Sequence, residues 1–270
     1  MLVRYEWAKT WKRPAFYITL GLVFFIDAFG FGYGLVRSLR GAEGQFTLPG
    51  QWPRILGESA NVPLVFAGIV VVLLVASEFS WRTARQNVID GLSRSEWYWG
   101  KVLIGVAVVA LFVLLHVGLG GILARIGTPA GASGLFTSIQ ASALGGLVLA
   151  GAGYAVSAVF VSSLVRRSGG AVAIWLFYVV AAEGLLVAGL GRLWESGRPY
   201  LAYAPVRSFE RARDYLMYDP DALARARARS AEMGFPPPEV GEPATVVAAS
   251  AAWVVGLALA GWLLFRRRDL

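Results

Sequence analysis

The sequence predicts an all-α polytopic membrane protein with six transmembrane helices. The chain has 270 residues, of which 57% are hydrophobic and 16% are charged, whereas a soluble domain usually has about 25% charged residues. An apolar run of roughly 18 or more residues is long enough to cross the bilayer core as a helix. Six runs have about this length, and we expect spans at Ala15–Val36, Ser59–Ser77, Val102–Ala124, Ile139–Val165, Ala171–Gly191 and Ala244–Phe265.

The first run is interpreted as a retained span and not as a cleaved signal peptide. It is too long for the apolar core of a signal peptide, and it has Asp27 in its middle. The fourth and fifth runs are separated only by residues 166–170, so we expect them to form an antiparallel hairpin. We assign all six spans to a single domain, residues 1–270.

The distribution of lysine and arginine predicts the orientation of the chain. Six spans put both termini on one side, and basic residues in short loops mark the cytoplasmic side. The side with the termini has roughly twice the density of basic residues; it holds Arg4, Lys9, Lys12, Arg13, Arg82, Arg85, Arg94, Lys101, Arg166, Arg167, Arg266, Arg267 and Arg268. We therefore expect a cytoplasmic (inner) membrane protein with both termini in the cytoplasm. The net charge of +8 is attributed to contact with anionic lipids and not with nucleic acid.

The sequence has few residues that could form a catalytic or metal site. It contains no cysteine and a single histidine, so we expect no disulfide and no metal site. The segment Gly100-Lys101-Val102 lacks the Ser or Thr that follows the lysine in a phosphate-binding loop. We therefore predict no catalytic residue, no cofactor bound by this chain and no ATP hydrolysis by the chain alone.

Two segments outside the spans have helical patterns. In residues 1–14, Val3, Trp7 and Trp11 recur at helical spacing, which favours a short helix in the membrane interface that ends near Pro14. The long outer loop, residues 192–243, contains Asp219-Pro220-Asp221, a good helix start. We expect an exposed helix after it.

Three ionisable residues, Asp27, His116 and Glu183, lie within apolar runs. Counting at 1.5 Å per residue from the cytoplasmic ends, all three are roughly 18–21 Å deep. A charge at this depth costs on the order of 3 kcal/mol, so such groups pair, become neutral or line a polar path. The cluster is therefore either a substrate or proton site or a set of packing hydrogen bonds. We favour packing because no second acid follows at helical spacing.

The segment between the second and third spans, Glu78–Lys101, is longer and more aromatic than a simple connector. It has room for one short helix, whose face would consist of Trp81, Val88 and Leu92 and whose end would lie at Gly91 and Ser93. We expect Trp97–Trp99 to lie at the membrane surface and Lys101 to anchor the third span there.

The order of short motifs along the chain resembles the membrane subunits of type-2 ABC transporters, the six-helix exporter permeases. The first group of motifs comprises Glu78 at the close of the second span, Thr83, Arg85, Gly91-Leu-Ser-Arg94 and Gly100-Lys101. The second group comprises Tyr203-Ala-Pro205 with Arg207, Phe209 and Arg211, and the last six residues of the sequence, Phe265-Arg-Arg-Arg-Asp269-Leu. Ala204 stands where these permeases usually have Asn.

The resemblance implies an elbow helix at residues 1–14 and a coupling helix within 81–94. The residues it assigns to contact with an ATPase subunit are Glu78, Trp81, Arg82, Thr83, Arg85, Val88, Leu92 and Arg94. It also implies a dimer of permease subunits and a separate nucleotide-binding subunit that holds ATP and Mg²⁺. The cargo would be a lipid-like, amphipathic or drug-like compound.

Two other functions are compatible with the sequence. A proton-coupled secondary transporter would use Asp27, His116 and Glu183 as its proton-binding groups. A membrane scaffold that carries no cargo would use the cytoplasmic segment only to bind a soluble partner.

Overall fold

The computed structural model describes residues 2–41, 46–215, 220–234 and 242–267. Over these residues the chain forms α-helices joined by short turns, and it contains no strand. In chain order the helices are α1 (Leu2–Trp11), α2 (Pro14–Leu39), α3 (Trp52–Leu56), α4 (Asn61–Ser80), α5 (Thr83–Ile89), α6 (Arg94–Ile126), α7 (Ser138–Val165), α8 (Ser168–Phe177), α9 (Glu183–Leu193), α10 (Arg198–Leu201), α11 (Pro205–Arg213), α12 (Pro220–Glu232) and α13 (Pro243–Arg267).

Six helical stretches are long and apolar enough to cross a membrane. They are Pro14–Leu39, Trp52–Ser80, Arg94–Ile126, Ser138–Val165, Ser168–Leu193 and Pro243–Arg267. Each contains one of the six predicted runs, so the prediction of an α-helical chain with six helices long and apolar enough to span a membrane is confirmed. A helix is also present at the predicted N-terminal segment, as α1, and its location in the membrane interface stays a prediction.

Contacts between helix ends bring alternate ends of the spans to one face. The hydroxyls of Ser80 and Ser168 lie 3.3 Å apart, and Arg94 donates a 2.8 Å hydrogen bond to the carbonyl of Arg266. The start of α2 joins this face because Arg13 donates to the hydroxyl of Ser77. We call it the basic face, and we call the other end of the bundle the distal face.

The third span begins earlier than its apolar run. Ser93 accepts a 3.1 Å hydrogen bond from the backbone N–H of Glu96, and the Glu96 carboxylate accepts a 2.9 Å bond from the N–H of Ser93. This capping box starts α6 at Arg94. Ser93 is therefore the N-cap of α6. The sequence had led us to expect that Ser93 would end the preceding helix.

The second and fifth spans contain irregular turns. The second begins at Trp52 and is interrupted at Gly57, where a Cβ would lie 2.6 Å from the carbonyl oxygen of Pro53. The fifth contains a π-helical turn, Tyr178–Ala182, directly before Glu183. Such turns often occur at functional sites.

The loop before the last span folds back onto the bundle. Its helix α11 packs against α7 and α13, and it is buried at Val206, Ser208, Phe209 and Ala212. The close approach requires glycine on α7, since a Cβ at Gly146 would lie 2.0 Å from the Ala212 carbonyl oxygen. The helix expected after residue 219 is present as α12, whereas Asp219 itself lies outside the described residues.

Burial divides the spans into central and peripheral ones. In the second and fourth spans, 67% and 61% of the apolar stretch is buried, against 22%, 17% and 22% in the first, fifth and sixth. The fourth span, α7, contacts α4, α6, α8, α11 and α13. The three peripheral spans therefore have broad exposed apolar faces.

Candidate functional site

Four charged side chains meet inside the bundle near the basic face. We call Glu6, Lys9, Glu78 and Lys101 the ionic cluster. The Lys101 ammonium lies 2.6 Å from a Glu78 carboxylate oxygen and also donates to Glu6. Lys9 lies 3.5 Å from Glu6 and 3.8 Å from Glu78. The cluster has two charges of each sign and is therefore neutral as a whole.

The central members of the cluster are shielded from solvent. Glu6, Glu78 and Lys101 are only 5%, 3% and 2% exposed. The second oxygen of Glu78 accepts hydrogen bonds from the Trp97 indole N–H at 3.1 Å and from the Asn87 amide at 3.4 Å. Buried ions need such complete pairing, because removal of one partner leaves a charge without compensation.

The cluster, together with Asn87 bound to Glu78, connects four elements of the basic face. Glu6 is on α1, Glu78 on the last turn of α4, Asn87 on α5 and Lys101 on α6. A further bond runs from the Thr83 hydroxyl to the Glu78 carbonyl at 3.3 Å. The short helix α5 is thus fixed to the ends of the second and third spans and, through Glu78 and Lys101, to the N-terminal helix.

Two expectations for this region are wrong. Lys101 was expected to anchor the third span at the membrane surface, but it is buried, because α6 begins at Arg94 and Lys101 lies two turns inside the helix. Trp81 and Leu92 were expected to share a helical face with Val88. They lie outside α5, which spans only Thr83–Ile89.

The residues assigned to contact with an ATPase subunit differ in accessibility. Trp81, Arg82, Thr83 and Arg85 are exposed, whereas Val88, Leu92 and Arg94 are half-buried. Glu78 is inside the protein, so it can affect a partner only through the elements that it holds. Reasoning from the sequence did not find Glu6, Lys9, Asn87 or Trp97, although the capping box before Trp97 was a visible signal that α6 begins early.

Asp27 and His116 form a buried pair between the first and third spans. His116 Nδ1 lies 2.9 Å from a carboxylate oxygen of Asp27, and Nε2 lies 3.0 Å from the carbonyl oxygen of Ile55. A carbonyl can only accept, so Nε2 carries a proton and donates it. The pair fastens α2 and α6 to α3.

Glu183 has a different set of partners. One carboxylate oxygen accepts from the Tyr178 hydroxyl at 2.7 Å and the Val206 N–H at 2.9 Å, and the other accepts from the Arg207 N–H at 2.7 Å. These N–H groups belong to the first turn of α11, where a helix has unpaired donors and favours an anion. Glu183 therefore caps α11 from the fifth span. Asp27 and His116 therefore contact each other, whereas the hydrogen-bond partners of Glu183 are all different from those of the pair.

A cavity of about 310 Å³ lies between the fifth span and α11. Its lining combines apolar and charged residues: Val179, Val180, Glu183, Gly184, Val206, Arg207, Glu210, Arg211 and Asp214. Burial raises the pKa of the Glu210 carboxyl. Within the described part of the chain, no three His, Cys, Asp or Glu side chains come together as a metal site.

Comparison with known proteins does not assign the chain to a family. No model of a known protein family matches it, and a search of curated proteins finds no relative.

Proposed function

We propose that this chain is the membrane-spanning permease subunit of an ABC exporter in the cytoplasmic (inner) membrane. In this proposal the basic face lies in the cytoplasm, where a separate nucleotide-binding subunit docks and hydrolyses ATP with Mg²⁺. The observation that carries the proposal is the short helix α5, which the ionic cluster holds against the ends of the second and third spans.

The ionic cluster supports a mechanical role for α5. Separation of the Glu78–Lys101 pair would leave buried charges uncompensated, which costs several kcal/mol. The pair therefore holds the ends of α4 and α6 together, and a force applied to α5 would reach them through the hydrogen bonds of Asn87 and Thr83 to Glu78. ATP binding can drive such a displacement only if the ATPase subunit binds the two states with different affinities.

The surface around α5 supports docking of a partner. Trp81 and Ile89 are 68% and 66% exposed, and Arg82 and Arg85 are exposed beside them. Tryptophan and arginine are enriched at the energetic centres of protein interfaces. The sequence contains no phosphate-binding loop, so the energy for transport would come from the docked subunit.

The peripheral spans support a second subunit and an apolar cargo. Phe25 and Phe29 on the first span are 67% and 71% exposed, and Val180 and Leu185 on the fifth are 68% and 65% exposed. We propose that a second copy of the chain packs here and that a lipid-like, amphipathic or drug-like compound moves between the two copies.

The test is to ask whether the coding region next to this chain encodes a nucleotide-binding subunit, to co-purify any such subunit with the chain, and then to measure transport of a fluorescent lipid in liposomes. We expect the double variant Trp81→Ala, Ile89→Ala to lose docking and ATP-dependent transport. The matched control is Tyr200→Ala on the far side of the bundle, which removes a 73% exposed aromatic side chain and should retain both. Unchanged docking in the double variant would contradict the proposed coupling surface.

The same liposomes separate the other functions. A proton-coupled transporter would move its cargo under a pH gradient without any ATPase, and the variant Asp27→Asn, Glu183→Gln would abolish that movement. A scaffold would bind its partner and move no cargo under either condition. Either result would overturn the exporter proposal.

A further inference from the structure

A second cavity lies on the basic face, between α5 and the turn that joins α7 to α8. It has a volume of about 340 Å³ and is lined by Phe79, Arg82, Ala84, Arg85 and Arg166. Three of these five residues are arginines and none is acidic. We call it the arginine cavity. Its lining carries a high local density of positive charge.

The backbone at two of the arginines is strained. Arg82 has φ 58° and Arg166 has φ 55°, and within the described residues these are the only two non-glycine residues with positive φ. This left-handed region is unfavourable for a residue with a Cβ, and residues held in it are found preferentially at ligand-binding sites. Both residues stand where a helix ends, Arg166 directly after α7 and Arg82 two residues after α4, and both line the same cavity.

The arginine cavity lies where spans end. Phe79 belongs to the last turns of α4, and Arg166 follows α7 directly. The Arg166 guanidinium lies 5.4 Å from the centre of the Phe79 ring. Beside the cavity, Trp81 is 68% exposed. The guanidinium of Arg13 lies over the Trp81 ring, 5.3 Å from the ring centre. Exposed tryptophan beside span ends marks the headgroup level of a bilayer.

We propose that the arginine cavity binds the phosphate of an anionic phospholipid headgroup. The planar guanidinium donates paired hydrogen bonds that match the oxygens of a phosphate. Basic pockets between the ends of membrane-spanning helices bind anionic headgroups of this kind. The acyl chains would extend along the apolar helices next to the cavity. This inference needs only that the chain is embedded in a bilayer, so it does not depend on the exporter proposal.

The experiment measures lipid binding to the purified full-length chain without any ATPase subunit. Phosphatidic acid is titrated and the bound lipid is counted by native mass spectrometry, with phosphatidylcholine and inorganic phosphate as comparison ligands. We expect saturable binding of phosphatidic acid that phosphatidylcholine does not reproduce. One basic residue contributes about a fivefold change in affinity near a membrane surface, so Arg85→Gln should weaken binding by about that factor.

Three arginine variants are compared in this experiment. Arg85 is exposed and lies on a regular helix, so its substitution should leave the fold intact, whereas Arg166→Gln alters a strained turn and serves as a second variant. Arg267→Gln removes another exposed arginine of the basic face outside the cavity and should bind lipid as the unmodified chain does.

Three results would overturn the proposal. The first is equal lipid binding by the Arg85→Gln, Arg166→Gln and Arg267→Gln variants. The second is displacement of the lipid by inorganic phosphate at a similar concentration, which would make the cavity a site for a soluble anion. The third, which needs a separate docking assay with an ATPase subunit, is unchanged lipid binding with lost docking in the Arg85→Gln variant; it would assign the cavity to an acidic side chain of that subunit.

Discussion

The Lys101 ammonium lies 2.6 Å from the Glu78 carboxylate, although 23 residues separate the two in the chain. The pair closes the connector between the second and third spans into a compact unit. Lys101 also binds Glu6, 95 residues away, so one ammonium connects three elements of the basic face.

Removal of one charge from the pair should strongly destabilise the protein. Lys101→Met removes the buried cation that Glu6 and Glu78 share and leaves them only the half-buried Lys9, at 3.5 and 3.8 Å; loss of one partner of a buried pair typically costs about 3–5 kcal/mol. We expect a decrease of this size in the free energy of unfolding, measured by denaturation in detergent micelles. Glu232→Gln on α12 removes an exposed carboxylate and should have almost no effect. Equal stability of the two variants would show that the cluster contributes nothing.

Adjacent glycines on the fourth span should respond in opposite ways to substitution by alanine. A Cβ at Gly146 would lie 2.0 Å from the backbone carbonyl oxygen of Ala212, whereas a Cβ at Gly145 has no atom within 4 Å. Gly146→Ala should destabilise the protein by about 1–3 kcal/mol through overpacking. Gly145→Ala should be neutral or stabilising by up to about 1 kcal/mol, because alanine favours the helix. The comparison uses the same unfolding assay.

Loss of the Glu183 carboxylate should loosen α11. Glu183→Ala removes the acceptor of the Val206 and Arg207 N–H groups, so these donors would lose their partner. The chain has no native cysteine, so a single cysteine at the fully buried Ser208 reports on this opening. We expect Ser208→Cys to react slowly with a maleimide in the parent chain and faster with Glu183→Ala added. Equal rates would mean that α11 is held by its apolar contacts alone.

The pH dependence of stability should change when Glu210 is replaced. Burial raises the pKa of Glu210 above its ordinary value of 4.5, so the folded state binds more protons and stability falls as the pH rises above that value. Glu210→Gln cannot ionise and should therefore exceed the parent chain in melting temperature near neutral pH, while the difference disappears below about pH 4.5. A difference that is constant with pH would contradict this assignment.

The six spans could be predicted from the sequence because each depends on a local property, the length of an apolar run. Their starts were harder to predict, since charged and aromatic residues continue a helix when a cap precedes them. The capping box of Ser93 and Glu96 extends α6 into a segment that composition alone assigns to the membrane surface. The buried position of Lys101 follows from that extension.

The partners of buried polar groups could not be predicted in the same way. Asp27, His116 and Glu183 lie at similar depths when counted along their spans, yet depth does not specify the direction in which a side chain points around its helix. His116 points toward Asp27 and Ile55, whereas Glu183 points toward the first turn of α11. That helix belongs to a loop whose folding back onto the bundle depends on contacts with α7, far away in sequence.

The contact between Glu6 and Lys101 also determines the order in which the region can be completed during synthesis. When the N-terminal helix leaves the ribosome, Lys101, the buried partner of Glu6, has not yet been translated. The N-terminal helix can therefore reach its final position only after the third span has entered the bilayer.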